Sequence, residues 1–273
     1  MSKKKNIKLV LFFNNIRGLN LFNFLKKKNY NIYQIYLSKK NLNLEIVKFL
    51  KKKKITFKVI KKIEEIEIEP TKKFIGIICG FPYIFKENQI KLFYKLINCH
   101  AGRLPHYRGG SPLNWQLING EKRFWISVIF LTKLIDAGNV IAEKSFEIKD
   151  NFTIIHLHKI AIQNFPKLVE SALKKIMLKK KGRKQEQKLV KYYRQRSKSD
   201  SILLFKDKSY NQIFNFVRAL QGNYPKAYFL YKKKKILIST INKSKKYIKS
   251  GKIKIIDRKF YIGCKDTTIL INN

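Results

Sequence analysis

Short apolar runs alternate with amphipathic stretches through the first two thirds of the chain, and the two periods separate residue by residue. Ile7 to Phe13 is apolar apart from Lys8; Asn14-Asn15-Ile16-Arg17-Gly18 follows, and then Leu19, Leu21, Phe22, Phe24 and Leu25 at near-helical spacing. That order predicts a strand, a turn and a helix. The unit repeats as a strand over 31–37, a lysine-rich helix over 42–53, a strand over 55–60 and a buried strand over 74–79 that ends at Gly80-Phe81-Pro82. The four glutamates between Glu64 and Glu69 read as a solvated loop. Further on, the apolar run 91–97 precedes a helix with Leu113, Trp115, Leu117 and Ile118 on its buried face, and strands are expected over 125–132 and 139–148. A long helix capped by Asn151 carries apolar positions from Ile154 to Ile176. Strands alternating with helices predict an α/β fold, Rossmann-like, with a mostly parallel sheet covered by helices on both faces.

The pattern changes after residue 178. Lys179 to Lys191 is charged, contains Gly182 and shows no core periodicity; a helix over 209–220 and short strands over 236–240, 251–256, 260–263 and 268–271 come after it. These strands predict a small, partly closed barrel of the oligonucleotide-binding (OB-like) type. The chain therefore divides into a larger domain over 1–180, a linker over 181–200 and a second domain over 201–273.

Composition narrows the function. With 273 residues, 45% of them hydrophobic, a core of ordinary size is available. No apolar run reaches about 18 residues, so no transmembrane helix is expected. The basic start is interrupted by Asn14, Asn15 and Arg17 before a signal core could form, which points to the cytoplasm. A net charge of +44 suggests a polyanionic partner. Yet the excess is almost all lysine, spread over every segment among abundant Asn, Ile, Phe and Tyr, as an AT-rich genome would encode. Nucleic-acid binding stays as the alternative explanation. Cys79, Cys99 and Cys264 have no metal-site spacing and read as reduced core residues. No G-x-G-x-x-G follows the first strand, which disfavours a dinucleotide cofactor. His156 and His158, two apart on a helix, cannot share one site.

The chemistry concentrates at Asn98-Cys99-His100 and the loop Ala101 to Pro112. Asn98 and His100 are two apart, so on a strand they share a face: one can donate to an oxygen while the other takes a proton. The glycine- and proline-rich loop lets the backbone turn sharply and approach a ligand. Asp136, in Ile135-Asp136-Ala137-Gly138 between two predicted strands, is the carboxylate that completes a possible acyl-transfer set.

Asn98-x-His100, the Leu104-Pro105 turn, Arg108-Gly109 and Asp136-x-Gly138, with thirty-six residues from the histidine to the aspartate, resemble the formyltransferases that use 10-formyltetrahydrofolate. That family acts on methionyl-tRNA, glycinamide ribonucleotide and sugar nucleotides. Asn215 to Leu220 and Asn223-Tyr224-Pro225 resemble the opening of its second domain, so the likeness spans nearly the whole chain. The resemblance implies that Asn98 supplies a donor to the developing oxyanion, His100 acts as base or electrostatic partner, and Asp136 orients His100. It implies folate contacts from Gly80, Phe81, Leu104, Ile135 and Gly138, and acceptor contacts from His106, Tyr107, Arg108 and Gly109. No metal is implied.

Two departures stand out. Asp136-Ala137-Gly138-Asn139 replaces the frequent Asp-Thr-Gly-Asp, and Gly102-Arg103-Leu104-Pro105 replaces the usual Ser-Leu-Leu-Pro, losing an apolar contact and adding a charge. On the acceptor, Ser38 to Asn43 runs almost directly into the next helix, without the basic insertion usual in the Met-tRNA enzymes. Residues 112–121 and 192–197 look more like the sugar-nucleotide branch, which is the preferred expectation. Met-tRNA is the alternative acceptor, and a retired scaffold that only binds nucleic acid is a third reading from another class. A homodimer is compatible with each.

Overall fold

A computed structural model describes residues 7–68 and 71–272. The elements of the first part are β1 (Lys8–Phe12), α1 (Ile16–Lys27), β2 (Asn31–Ser38), α2 (Leu44–Lys52), β3 (Lys58–Ile60), β4 (Thr71–Ile78), α3 (Glu87–Lys91), β5 (Phe93–His100) and the two-residue β6 (Arg108–Gly109). Next come α4 (Pro112–Ile118), β7 (Arg123–Phe130), β8 (Val140–Glu147) and α5 (Ile154–Met177). Seven strands form one sheet in the order β3-β2-β1-β4-β5-β7-β8. The first five run parallel, and β7 is antiparallel to β5. The fold is thus α/β with a mostly parallel sheet, as the alternation of periods predicts.

β1 sits at the centre because it can. Leu9, Val10, Leu11 and Phe12 are all buried, so both faces of the strand meet apolar side chains. β1 hands over to α1 through two asparagines with different tasks. Asn15 caps the helix, accepting from the backbone of Arg17 and Gly18, while Lys26 and Lys27 in the last turn complement the helix dipole. Asn14 is buried, donates to the carbonyls of Ser38, Lys40 and Asn41, and accepts from the Ser38 amide at 2.6 Å. It ties the end of β1 to the end of β2. Asn14→Ala strands these backbone groups and is expected to destabilise the chain by about 2–3 kcal/mol. Urea unfolding should show a lower midpoint with an unchanged slope.

Two expectations are corrected. The glutamate segment is not solvated throughout: Glu64 and Glu67 are exposed as expected, but a 3-10 turn over Ile63–Glu65 lets Ile63, Ile66 and Ile68 pack with Tyr36, Phe74 and Phe93. The isoleucines interleaved with the glutamates are the reason, since each carries enough apolar area to hold its backbone down; Glu69 lies outside the described residues. The long helix begins at Ile154, and the amide of Leu157 is bonded to the carbonyl of Thr153, not of Asn151. Thr153 is also joined to His156 Nδ1 through both its amide and its hydroxyl, which gives the histidine a capping task.

By contact density the chain separates into two units, one of Met1–Arg108, Trp125–Ser145 and Lys159–Lys191, the other of Gly109–Phe124, Phe146–His158 and Tyr192–Asn273. The second unit adds β9 (Tyr192–Tyr193), α6 (Tyr210–Arg218), the hairpin β10 (Tyr228–Tyr231) and β11 (Lys234–Leu237), and an antiparallel sheet. That sheet comprises β12 (Thr240–Ser244), β13 (Ile253–Ile256), β14 (Lys259–Gly263) and β15 (Thr268–Asn272) in the order β12-β15-β14-β13. Ile213 and Val217 of α6 pack with Phe229, Ile241, Ile262 and Ile269 in its core. Arg218 donates to the carbonyls of Lys149, Asp150 and Phe152. Among the described residues no helix is long and apolar enough to cross a membrane.

Candidate active site

β5 delivers Asn98 and His100 to the carboxyl edge of the parallel strands, and pairing with β7 places Asn98 opposite Ile129 and His100 opposite Ser127. Polar side chains at such an edge face a crevice. Asp136 reaches them from the loop after β7. Asn98 Nδ2 donates to Asp136 Oδ1 at 3.2 Å, and His100 Nδ1 lies 3.4 Å from Asp136 Oδ2. The other ring nitrogen, Nε2, is 2.6 Å from the Tyr107 carbonyl. A carbonyl only accepts, so Nε2 carries a hydrogen and Nδ1 is the nitrogen that faces the carboxylate. His100 and Asp136 are both buried, at 5% and 8% exposure, so the pair is shielded from bulk water.

The aspartate is held by its backbone. Asp136 has φ 49°, a left-handed conformation tolerated by aspartate better than by most residues. Two residues on, Gly138 packs so closely that an added Cβ would lie 1.8 Å from the Phe130 carbonyl oxygen. Gln185 donates through Nε2 to the carbonyls of Asp136, at 2.8 Å, and Gly138, at 2.7 Å. Its Oε1 accepts from Arg108 Nε at 3.0 Å. A buried chain Arg108–Gln185–loop therefore connects the segment after His100 to the one bearing Asp136. On the histidine side, Ser127 Oγ donates to the Gly102 carbonyl at 2.9 Å, and the Tyr107 amide to that of Arg103 at 2.8 Å.

Beside these polar groups is a cavity of about 130 Å³. Phe81, Tyr83, Ile84 and Phe85 form one side, Leu131, Leu134 and Ile135 another, and Asn98 and Asp136 also line it. Ile84, Leu134 and Ile135 are 70%, 60% and 51% exposed, an unusual cost for three large apolar side chains grouped at one opening. A slot with aromatic and aliphatic walls and an amide–carboxylate pair suits a flat, partly polar ring system.

The predicted site residues fall into three groups. Asn98, His100, Asp136, Phe81 and Ile135 converge on or beside the cavity. Gly80, at φ 73°, abuts Asn15; Leu104 packs with Ile129 and Val140; Gly138 packs against Phe130. Tyr107 and Arg108 are buried and brace His100 and Gln185, whereas His106 is half-buried and Gly109, at φ 92°, opens the second unit. Gln185 escaped the sequence reading entirely. One glutamine in a lysine-rich stretch carries no periodic signal.

An α/β protein whose Asn, His and carboxylate meet beside an apolar slot has the equipment of an acyl-transferring enzyme. The chain belongs to the formyltransferase family: residues 24–170 match "Formyl transferase" and residues 196–273 match "Formyl transferase, C-terminal domain". Methionyl-tRNA formyltransferase of Malacoplasma penetrans is 30% identical over 244 residues, covering 87% of this chain and 74% of that protein. The Fusobacterium nucleatum enzyme of the same name is 36% identical over 131 residues, but these span 46% of this chain and only 41% of the relative. Among solved structures, an N-formyltransferase from Helicobacter canadensis in complex with folinic acid and dTDP-3-aminofucose superposes with a TM-score of 0.75 at 20% identity, over 97% and 98% of the two chains. HypX from Aquifex aeolicus, in complex with tetrahydrofolic acid, gives 0.65 at 16% identity over 98% of this chain and 44% of its own. At those identities the likeness is one of fold.

Proposed function

We propose that the protein transfers the formyl group of 10-formyltetrahydrofolate to the α-amino group of methionyl-tRNA. The observation that carries formyl transfer is the meeting of Asn98, His100 and Asp136 at the apolar slot. The folate fits this slot by chemistry: Phe81 and Ile135 offer apolar walls to its ring system, while Asn98 and Asp136 offer polar edges. Bound there, it supplies a formyl carbonyl on an aniline-like nitrogen. Asn98 Nδ2 gives one hydrogen to Asp136 and keeps the second for the oxygen that gains charge when the amine attacks, a contribution of about 3 kcal/mol. The His100–Asp136 pair takes the proton that the amine sheds, at Nδ1 or through a water, and returns it to the aniline-like nitrogen as the bond from that nitrogen to the formyl carbon breaks, so that tetrahydrofolate leaves. Tyr107 keeps the ring from rotating away.

The acceptor follows from different support. Relatives 30% identical over 87% and 77% of this chain are methionyl-tRNA formyltransferases, and the net charge of +44 favours a polyanionic substrate. This reverses the preference drawn from the sequence alone. A nucleotide-linked amino sugar is the second reading, favoured by the end-to-end fold match to the Helicobacter canadensis enzyme and by the short connection from β2 to α2. On either reading the family matches over 24–170 and 196–273 support a division of the sequence between its two parts, with two segments of the first part, Gly109–Phe124 and Phe146–His158, belonging to the second compact unit and the C-terminal sheets serving as the partly closed, OB-like module.

Formyl transfer offered in parallel to charged initiator Met-tRNA and to a panel of nucleotide-linked amino sugars decides between them. Product on tRNA is expected; product on a sugar only would install the second reading, and product on neither would remove the enzyme assignment in favour of nucleic-acid binding.

A further inference from the structure

Arg103 is one of nine arginines in a chain whose basic residues are otherwise lysine, and it occupies the turn where this chain departs from the usual Ser-Leu-Leu-Pro. Its guanidinium lies over the Trp125 ring, 4.8 Å from the centroid, and both residues are partly exposed. Among the described residues no hydrogen bond and no carboxylate engages that guanidinium. Trp125 is on β7, two residues before Ser127, which pairs with His100. Side chains of a strand alternate between faces, so Ile129, Ser127 and Trp125 share the face that carries Asn98 and His100. The indole stands about 7 Å along the strand from the level of His100. A planar cation held over an aromatic ring, its hydrogen-bonding edges still open, is pre-organised for a bidentate oxyanion such as phosphate.

Both acceptors considered above carry the reacting amine on a nucleotide. The nearest phosphate lies on the order of 6–10 Å from that amine through extended covalent bonds, a reach similar to the roughly 7 Å along β7 between the levels of His100 and Trp125. We propose that Arg103, positioned by Trp125, binds a phosphate of the nucleotide portion of the amine acceptor. The proposal rests on the formyl-transfer reading for its substrate, but its chemistry can be read without turnover.

Calorimetric titration with adenosine monophosphate, with thymidine diphosphate and with adenosine as the phosphate-free control separates the cases. The wild-type protein is expected to bind at least one of the phosphates more tightly than adenosine. Arg103→Leu should lose about 10-fold of that affinity, Arg103→Lys less, and Trp125→Leu several-fold by releasing the guanidinium. Preference for the monophosphate indicates a phosphodiester source such as tRNA, and preference for the diphosphate a sugar nucleotide. In turnover the same variants should raise the acceptor KM about 10-fold while kcat and the formyl-donor KM stay within about 2-fold. Equal binding of phosphate and adenosine by wild type, an undiminished affinity in Arg103→Leu, or a matching rise in donor KM each overturns the proposal. Phosphate binding lost in Arg103→Leu without turnover on any amine would keep the phosphate site and sink the formyl-transfer reading alone.

Discussion

Asp136→Asn is expected to lower kcat for formyl transfer by about 10³-fold, within the 10²–10⁴ typical of losing a proton acceptor, while the formyl-donor KM changes by less than about 3-fold. The substitution preserves size and planarity but removes one acceptor. In the native site Oδ1 accepts from Asn98 Nδ2 and Oδ2 faces His100 Nδ1. An amide presents one oxygen and one NH₂ group, so it can accept at only one of the two positions. If the oxygen stays with Asn98, an N–H group points at Nδ1 and occupies the position the amine's proton must reach. If it turns to His100, two NH₂ groups confront each other and Asn98 rotates away from the developing oxyanion. Either outcome removes stabilisation felt only in the transition state, which appears in kcat and kcat/KM equally. Single-turnover rates with saturating acceptor, alongside an unchanged far-UV circular dichroism spectrum, test this. A rise in donor KM with kcat intact would mean that Asp136 binds the donor and moves no proton.

Gly138→Ala should be the more damaging change for the molecule as a whole. The added Cβ would meet the Phe130 carbonyl oxygen at 1.8 Å and its carbon at 2.8 Å, and these are main-chain atoms of the β7 strand, which has no room to retreat. Phe130 also donates its amide to the Asn139 carbonyl at 3.0 Å, so moving the loop off the strand breaks that bond as well. The expected cost is about 3–4 kcal/mol, the range reached by overpacking combined with lost buried hydrogen bonds. Because Gln185 grips both the Asp136 and the Gly138 carbonyl, the loop moves as one piece and carries the carboxylate out of reach of His100. Activity of the folded fraction should fall by at least about 100-fold, as displacements of about 1 Å do. Urea unfolding and rate measurements on the same samples would show both effects. A stable variant of normal activity would show that the loop tolerates a position that the present geometry forbids.

The relation between sequence and structure follows from the range of the forces involved. Alternation of apolar and polar positions is a local property, and it sufficed to place every strand of the central sheet and the parallel character of the fold. Asn98 and His100 were legible as a pair because two residues on one strand share a face by geometry alone, and Asp136 because a loop aspartate at this spacing resembles a known motif. Local reading failed where a residue's role depends on what lies across the fold. Ile66 and Ile68 fell within a stretch read as solvated because its glutamates dominate the composition, yet the core beneath accepts both, with Ile63 beside them. Gln185 has no local pattern, and its value comes from Arg108, Asp136 and Gly138, each more than forty residues away. Which nitrogen of His100 is left to face Asp136 was decided by the Tyr107 carbonyl, and the placing of Arg103 over Trp125 by strand register. The sequence by itself determined the strands of the central sheet and singled out Asn98, His100 and Asp136 as the candidate reacting groups, because backbone preference and side-chain period act over a few residues. Tertiary structure alone decided their orientation and bracing, because a hydrogen bond or a ring stack requires its partners to be within a few ångströms, and chain order does not report that distance.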